Sequence, residues 1–163
     1  MIECARELRD RLDTFGLISF CKTTGGKGLH VVSPITHPKK GKLDWPLAKT
    51  FAHEVVTQMA ADSPTRYLTT MAKKDRSGKI FLDYLRNDRL STAVAVLSTR
   101  ARAGATVSMP LDWKQVRAGL DPMRFTLRTA PALLEKSKAW SDYDDSARQL
   151  ENAIKRLTKS RVA

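Results

Sequence analysis

Cysteine is scarce: Cys4 and Cys21 are the only two in 163 residues, and neither falls in a CxxC or Cys/His spacing that could hold zinc. The pair reads as buried thiols of a protein kept in a reducing cytoplasm. Long apolar runs are missing as well. The opening stretch MIECARELRD is charged from Glu3 onward, so it has no signal-peptide core, and nothing later approaches the length that spans a bilayer. The chain therefore reads as soluble and intracellular. Internal repeats and low-complexity tracts are absent. Acidic residues are few: 17 Asp and Glu against 29 Lys and Arg leave a net charge of +12. Such an excess concentrates polyanions near the surface and puts nucleic acid and nucleotides first among expected partners.

What is present suffices for one core. With 42% hydrophobic residues in 163, a single domain over residues 1–163 is expected. Ile2, Ala5, Leu8, Leu12 and Phe15 recur at steps of three and four, which predicts an N-terminal helix ended by Gly16. Leu17–Cys21 and Leu29–Ile35 read as strands around a glycine bend, and His37–Lys42 as a polar loop. Asp44 caps a helix with Leu47, Phe51, Val55 and Met59 inward and Pro46 in its first turn. Arg66–Met71 and Lys79–Leu85 are expected as a hairpin, with Asp83 inside an otherwise apolar strand. Thr92–Met109 mixes Val and Thr with Arg100, Arg102 and a bend at Gly104, and its first part is ambiguous between helix and strand. Trp113–Leu120 reads as a short helix, Arg124–Leu127 as a short strand, and Thr129–Trp140 as a helix with Ala132, Leu133 and Leu134 inward. Ala147, Leu150, Ile154 and Leu157 mark a last helix with Asp144 and Asp145 in its first turn and Lys155, Arg156, Lys159 and Arg161 near its end, matching the macrodipole.

The bend KTTGGKGLH, Lys22 to His30, holds three glycines, two lysines and a histidine. Glycines free the backbone to aim N–H groups at one point and a neighbouring lysine adds a mobile charge, which together suit phosphate. A Walker A loop is excluded, because Lys27 is followed by Gly28 and then a strand instead of Ser or Thr and a helix. A purely structural hairpin bend stays open as the alternative. Asp83 is the second anomaly, since a buried carboxylate needs a cation or a metal; an outward-facing position would remove the need. Arg86, Arg100 and Arg102 could clamp a triphosphate, or form a solvated basic face.

KTTGGKGLHVV (Lys22–Val32), KIFLDYLRN (Lys79–Asn87) and TAVAVLSTRARAGATVSMPLDW (Thr92–Trp113), in that order, closely resemble the polymerase domain of the bacterial multifunctional ATP-dependent DNA ligase D, within the archaeo-eukaryotic primase superfamily. The resemblance extends from the N-terminal helix to about Trp140. It implies a mixed α/β (α+β) fold of primase-polymerase type, with an antiparallel or mixed sheet carrying the motif residues on one face, flanking helices, and the early strands missing. The implied activity is template-directed nucleotidyl transfer in non-homologous end joining, favouring ribonucleotides and requiring Mn2+ or Mg2+. In that family a D-x-D pair and one later aspartate hold two metals, and Asp83 matches the later one. Thr24 and His30, with Lys27 between them, match the element that contacts the nucleotide's phosphates. Arg86 and Arg100 match the arginines that hold the triphosphate.

No D-x-D pair precedes the glycine bend. Asp142-Tyr143-Asp144 spells the pattern, but helix capping accounts for those acids better than metal binding. One aspartate cannot place two ions, so the expectation is a nucleotide- and DNA-end-binding form of the domain that is weakly catalytic or inactive alone. Unpaired sheet edges would then invite a second copy or a complementing chain. The expected location is cytoplasmic, at the nucleoid. The competing readings are a non-catalytic nucleic-acid or nucleotide-binding module and a fragment that merely folds.

Overall fold

The structure is a computed structural model that describes residues 1–36 and 44–160. The expected loop at His37–Lys42 and the helical position of Arg161 lie outside the described residues. In chain order the elements begin with α1 (Ile2–Thr14), β1 (Phe20–Thr23), β2 (Leu29–Val32), β3 (Ile35–Thr36), α2 (Trp45–Asp62) and β4 (Tyr67–Leu68). A 3₁₀ turn at Lys73–Arg76 precedes β5 (Ile80–Phe81) and β6 (Pro110–Leu111), and a second one at Pro122–Arg124 precedes α3 (Ala130–Leu134), β7 (Arg148–Gln149) and α4 (Leu150–Ser160). The chain forms two compact units, one of residues 1–35 and 94–148 and the other of residues 36–93 and 149–163. Among the described residues no helix is long and apolar enough to cross a membrane.

The first unit is built on an antiparallel sheet in the order β2-β1-β6. The register sets Thr23 opposite Leu29 and Phe20 opposite Val32, so the strand–bend–strand reading of the sequence holds. On the other side of β1, Cys21 faces Leu111 and Lys22 faces Pro110. A two-sided neighbourhood explains why all four residues of β1 are buried. Ala5 of α1 joins Cys21, Val107, Met109, Leu111, Val116 and Phe125 in the core, with Leu29, Val31 and Leu133 packed against it. Gly16 adopts φ +79°, a left-handed value that ends α1 where the sequence placed its stop. Two indoles satisfy polar backbone here: Trp113 Nε1 donates to Ser19 O at 2.7 Å and Trp140 Nε1 to Cys21 O at 3.0 Å.

Several expected elements of this unit form differently. Thr92–Met109 is neither a helix nor a full strand: the chain makes an antiparallel bridge between Thr99 and Val107. Arg100 N donates to Thr106 O at 2.8 Å, and Ala105 N closes a turn onto Arg102 O at 2.9 Å. Gly104 takes φ +83° in that turn, at a place where a side chain would be strained. Trp113–Leu120 is a run of turns, because Gly119 is left-handed at φ +85°. Arg124–Leu127 provides only a bridge from Thr126 to Thr106. The helix predicted over Thr129–Trp140 stops at Leu134, with Leu133 and Leu134 half-buried and Ala132 exposed.

In the second unit, Asp44 Oδ1 accepts from Leu47 N at 2.9 Å and caps α2, whose buried face is Phe51, Val55, Val56 and Met59. That helix packs on β4 and α4. The expected hairpin is overturned: β4 and β5 run parallel, Tyr67 beside Ile80 and Leu68 beside Phe81. The reversal needed for a hairpin does not occur, because the 3₁₀ turn at Lys73–Arg76 returns the chain to the same end of its partner. α4 starts at Leu150, so Asp144 and Asp145 lie in the preceding turns and Glu151 is the acid of its first turn.

Candidate functional site

The glycine bend is a tight backbone loop. Thr24 donates to Gly28 O at 3.1 Å through both its amide and its hydroxyl, and Gly25 turns left-handed at φ +64°. Beyond this closure, the amides of Gly25, Gly26, Lys27 and Gly28 meet no acceptor among the described residues. A run of amides left without carbonyls carries partial positive charge, which suits an oxyanion. Lys27 beside it is exposed.

The Thr99–Val107 hairpin meets this loop. Thr106 Oγ1 donates to Gly25 O at 2.5 Å, Arg102 donates to Gly25 O at 3.4 Å and Arg100 to Thr24 O at 3.5 Å. The two guanidinium contacts are long, and a carbonyl is a weaker acceptor for them than an anion. A Cβ at Gly25 would run into Arg100 Cγ, and one at Gly26 would sit 2.9 Å from Arg102 Nη1. At Gly25, which is also left-handed, only glycine admits Arg100 this close, whereas the end of the flexible Arg102 side chain can shift from Gly26. The structure thus brings Thr24 and Arg100 together, adds Arg102, and sets His30 half-buried on β2 opposite Lys22.

Lys22, one of the two lysines that the sequence places at the bend, lies inside the protein. Only 5% of it is exposed. Its ammonium donates to Val94 O at 2.7 Å and to Ser108 Oγ at 2.9 Å, while Ser108 Oγ donates onward to Thr23 O at 2.7 Å. Thr23 Oγ1 in turn donates to Val107 O at 2.9 Å and accepts from Met109 N at 2.8 Å. This seam ties β1 to the arginine hairpin. The strand's extension through Thr23, dictated by pairing with Leu29, was the signal that would have placed Lys22 inside.

Burial pushes the Cys21 thiol up from 9.0 to about 12 and lowers the Lys22 ammonium below 10.5, each softened by the other. The folded chain keeps the Cys21 proton between pH 9.0 and about 12 while the unfolded chain loses it, so this contribution is full below 9.0 and disappears as pH rises. Lys22 acts oppositely, since the unfolded chain holds more protons as pH climbs toward 10.5. Urea midpoints should therefore fall across the alkaline range, and Cys21→Ala should flatten or reverse that slope; an unchanged slope would assign it elsewhere.

Asp83 and Arg86 belong to the second unit. Asp83 follows β5, which ends at Phe81, instead of lying in it, and it is exposed rather than inward. Asp83 Oδ1 accepts from Leu85 N at 3.1 Å and Oδ2 from Arg86 Nε at 3.2 Å. Arg86 also donates to Thr92 O. The loop is fastened at its middle by Lys49 Nζ to Asp88 Oδ2 at 2.7 Å, a bond that holds the Asp88 carboxyl below its usual range. Among the described residues no three of His, Cys, Asp and Glu gather to hold a metal. With Asp83 engaged by a guanidinium, the residues present do not fit a two-metal centre.

Residues 1–140 match the family model of the LigD primase-polymerase domain. The chain belongs to this family. The LigD primase-polymerase assignment is supported by the multifunctional non-homologous end joining protein LigD of Pseudomonas aeruginosa, 33% identical over 96% of this chain. The bifunctional LigD of Bacillus subtilis is 30% identical over 83% of it. The chain spans only 18% and 22% of those two proteins. A solved polymerase domain from Mycobacterium tuberculosis ligase D, in complex with DNA, superposes with TM-score 0.68 at 31% identity, covering 83% of this chain and 48% of that one. The mixed helix-and-sheet fold expected from the sequence is that of the LigD polymerase domain.

Proposed function

We propose that this LigD-type chain binds the polyphosphate of a nucleoside triphosphate at a DNA end, as part of end-joining repair. The observation that carries the reading is the row of four acceptor-free amides at Gly25–Gly28 under Arg100 and Arg102. Thr24 and Lys27 belong to the same loop, and His30 follows it on β2. Arg86 is proposed as a nucleotide-binding residue and Asp83 as a metal-binding one on motif grounds. Contact with DNA is supported by the net charge of +12 and by the DNA complex of the M. tuberculosis domain. The preference for ribonucleotides, pairing with a second copy or a complementing chain, and action at the nucleoid are proposed from kinship alone.

Metal dependence is general among LigD polymerases. Among the described residues Asp83 is the candidate ligand for Mn2+ or Mg2+ on motif grounds, and no catalytic step is assigned to them. The Asp83–Arg86 pair favours a second reading, binding without autonomous polymerisation.

Calorimetric titration with ATP, ADP and adenosine tests the phosphate site. Affinity should rise with phosphate number, fall as salt is raised, and weaken by about tenfold in Lys27→Ala. Equal affinity for adenosine and ATP would remove the reading. Primer extension with template, ribonucleotides and manganese, with and without a LigD fragment carrying a D-x-D segment, separates the two versions: extension by the chain alone would discard the binding-only one.

A further inference from the structure

We propose a second anion site, separate from the glycine turn, in the cavity walled by residues 115–125, which takes the phosphate monoester of a mononucleotide or of a strand's terminal nucleotide. The cavity measures about 460 Å³ and lies wholly within the first unit. Its floor is apolar, with Met109 and Phe125 almost fully buried and Leu133 beside them. The polar groups on its rim are chiefly donors.

Arg117 lines the cavity, and its guanidinium makes no hydrogen bond or ion pair among the described residues. The Arg124 guanidinium lies 5.6 Å over the Phe125 ring and has no carboxylate partner among those residues. Gln115 Oε1 accepts from Asp112 N at 2.8 Å, which leaves the side-chain NH2 for a ligand. Ser137 Oγ accepts from Ala139 N at 3.1 Å, which leaves its proton free to donate. Among the described residues no acidic side chain lines the cavity. Two guanidinium forks without an opposing acid select an anion, and their geometry suits the paired oxygens of a phosphate.

The walls are tight turns. Leu120 N donates to Arg117 O at 3.0 Å around left-handed Gly119, and Asp121 Oδ1 caps Met123 N at 2.9 Å. Both arginines are thus carried on short closed loops that fix their backbone, while their exposed side chains are ordered by the ligand. A cavity of this volume exceeds what inorganic phosphate needs. The apolar floor and the flat guanidinium over Phe125 suit a nucleoside attached to the phosphate, since bases stack on guanidinium planes.

The test is amide NMR of the full chain titrated with AMP, adenosine, inorganic phosphate and a 5′-phosphorylated dinucleotide. AMP and the dinucleotide should shift the Gly119 and Leu120 amides and the Gln115 side-chain NH2, with adenosine and inorganic phosphate at least about tenfold weaker. Arg117→Gln and Arg124→Gln should each weaken those shifts about fivefold or more while the remaining spectrum stays native. Lys27→Ala should leave them unchanged, which separates this site from the glycine turn. Tighter binding of the dinucleotide assigns the site to a strand end, and equal binding assigns it to free mononucleotide; either supports the proposal. Shifts confined to residues 24–30, indifference to both arginine substitutions, or inorganic phosphate matching AMP would overturn it.

Discussion

Gly25→Ala is expected to lower triphosphate affinity by at least about tenfold, the largest loss of any single methyl group in the chain. The added Cβ meets Arg100 Cγ and lies 3.2 Å from Thr106 O, while φ of +64° must be held by an L-residue. The flexible partner gives way, so the Arg100 guanidinium leaves the loop. The left-handed backbone alone costs roughly 1–2 kcal/mol, and a further loss follows if the Thr106–Gly25 hydrogen bond stretches. Gly28→Ala is the control. Its Cβ would approach Thr24 Oγ1 at 3.2 Å, away from both arginines, and its φ is not in the left-handed range. Titration with ATP and urea denaturation of both variants decide the matter: equal affinities would show that Arg100 takes no part in holding phosphate.

Lys22→Met is expected to destabilise the first unit by roughly 1–3 kcal/mol, because it strips Val94 O of its donor and breaks the Ser108 seam. The loss is partly offset, since the ammonium carries a desolvation cost, visible as its lowered pKa. Hydrogen exchange should speed up at Leu97, Arg100 and Ser108, whose amides pair within the hairpin that the seam anchors. Lys27→Met should do the reverse, leaving stability within about 0.5 kcal/mol while weakening phosphate binding, as for an exposed side chain. Similar stability losses in both variants would contradict the division into one structural and one ligand-facing lysine.

The two lysines show how far the residue pattern reaches. Both flank the same glycines, and charge alone ranks them equal. What separates them is that Lys22 falls within the paired length of β1 with β6 on its far side, a neighbour more than eighty residues distant in the chain. Arg102 was legible as a basic neighbour of Arg100, but its approach to Gly25 O required the Arg102–Ala105 turn. Asp83 was misplaced for the opposite reason. Alternation in KIFLDYL suggests a strand running through it, yet local hydrogen bonds from Leu85 and Arg86 compete with a ladder and curl the chain after Phe81. The hairpin expected at Arg66–Leu85 failed because strand direction depends on where the connection delivers the chain, which two apolar runs do not encode.

Local chemistry determined the elements whose signals are self-contained: the stop of α1 at Gly16, the Asp44 cap of α2, the β1–β2 reversal at three glycines, and through ordered motifs the kinship with LigD. Tertiary structure alone decided which cations are buried, which arginines cover the turn, and where Asp83 faces. The physical reason is that a side chain's burial and partners are set by strands and loops remote in sequence, whereas a glycine's φ or a capping carboxylate acts within four residues of itself.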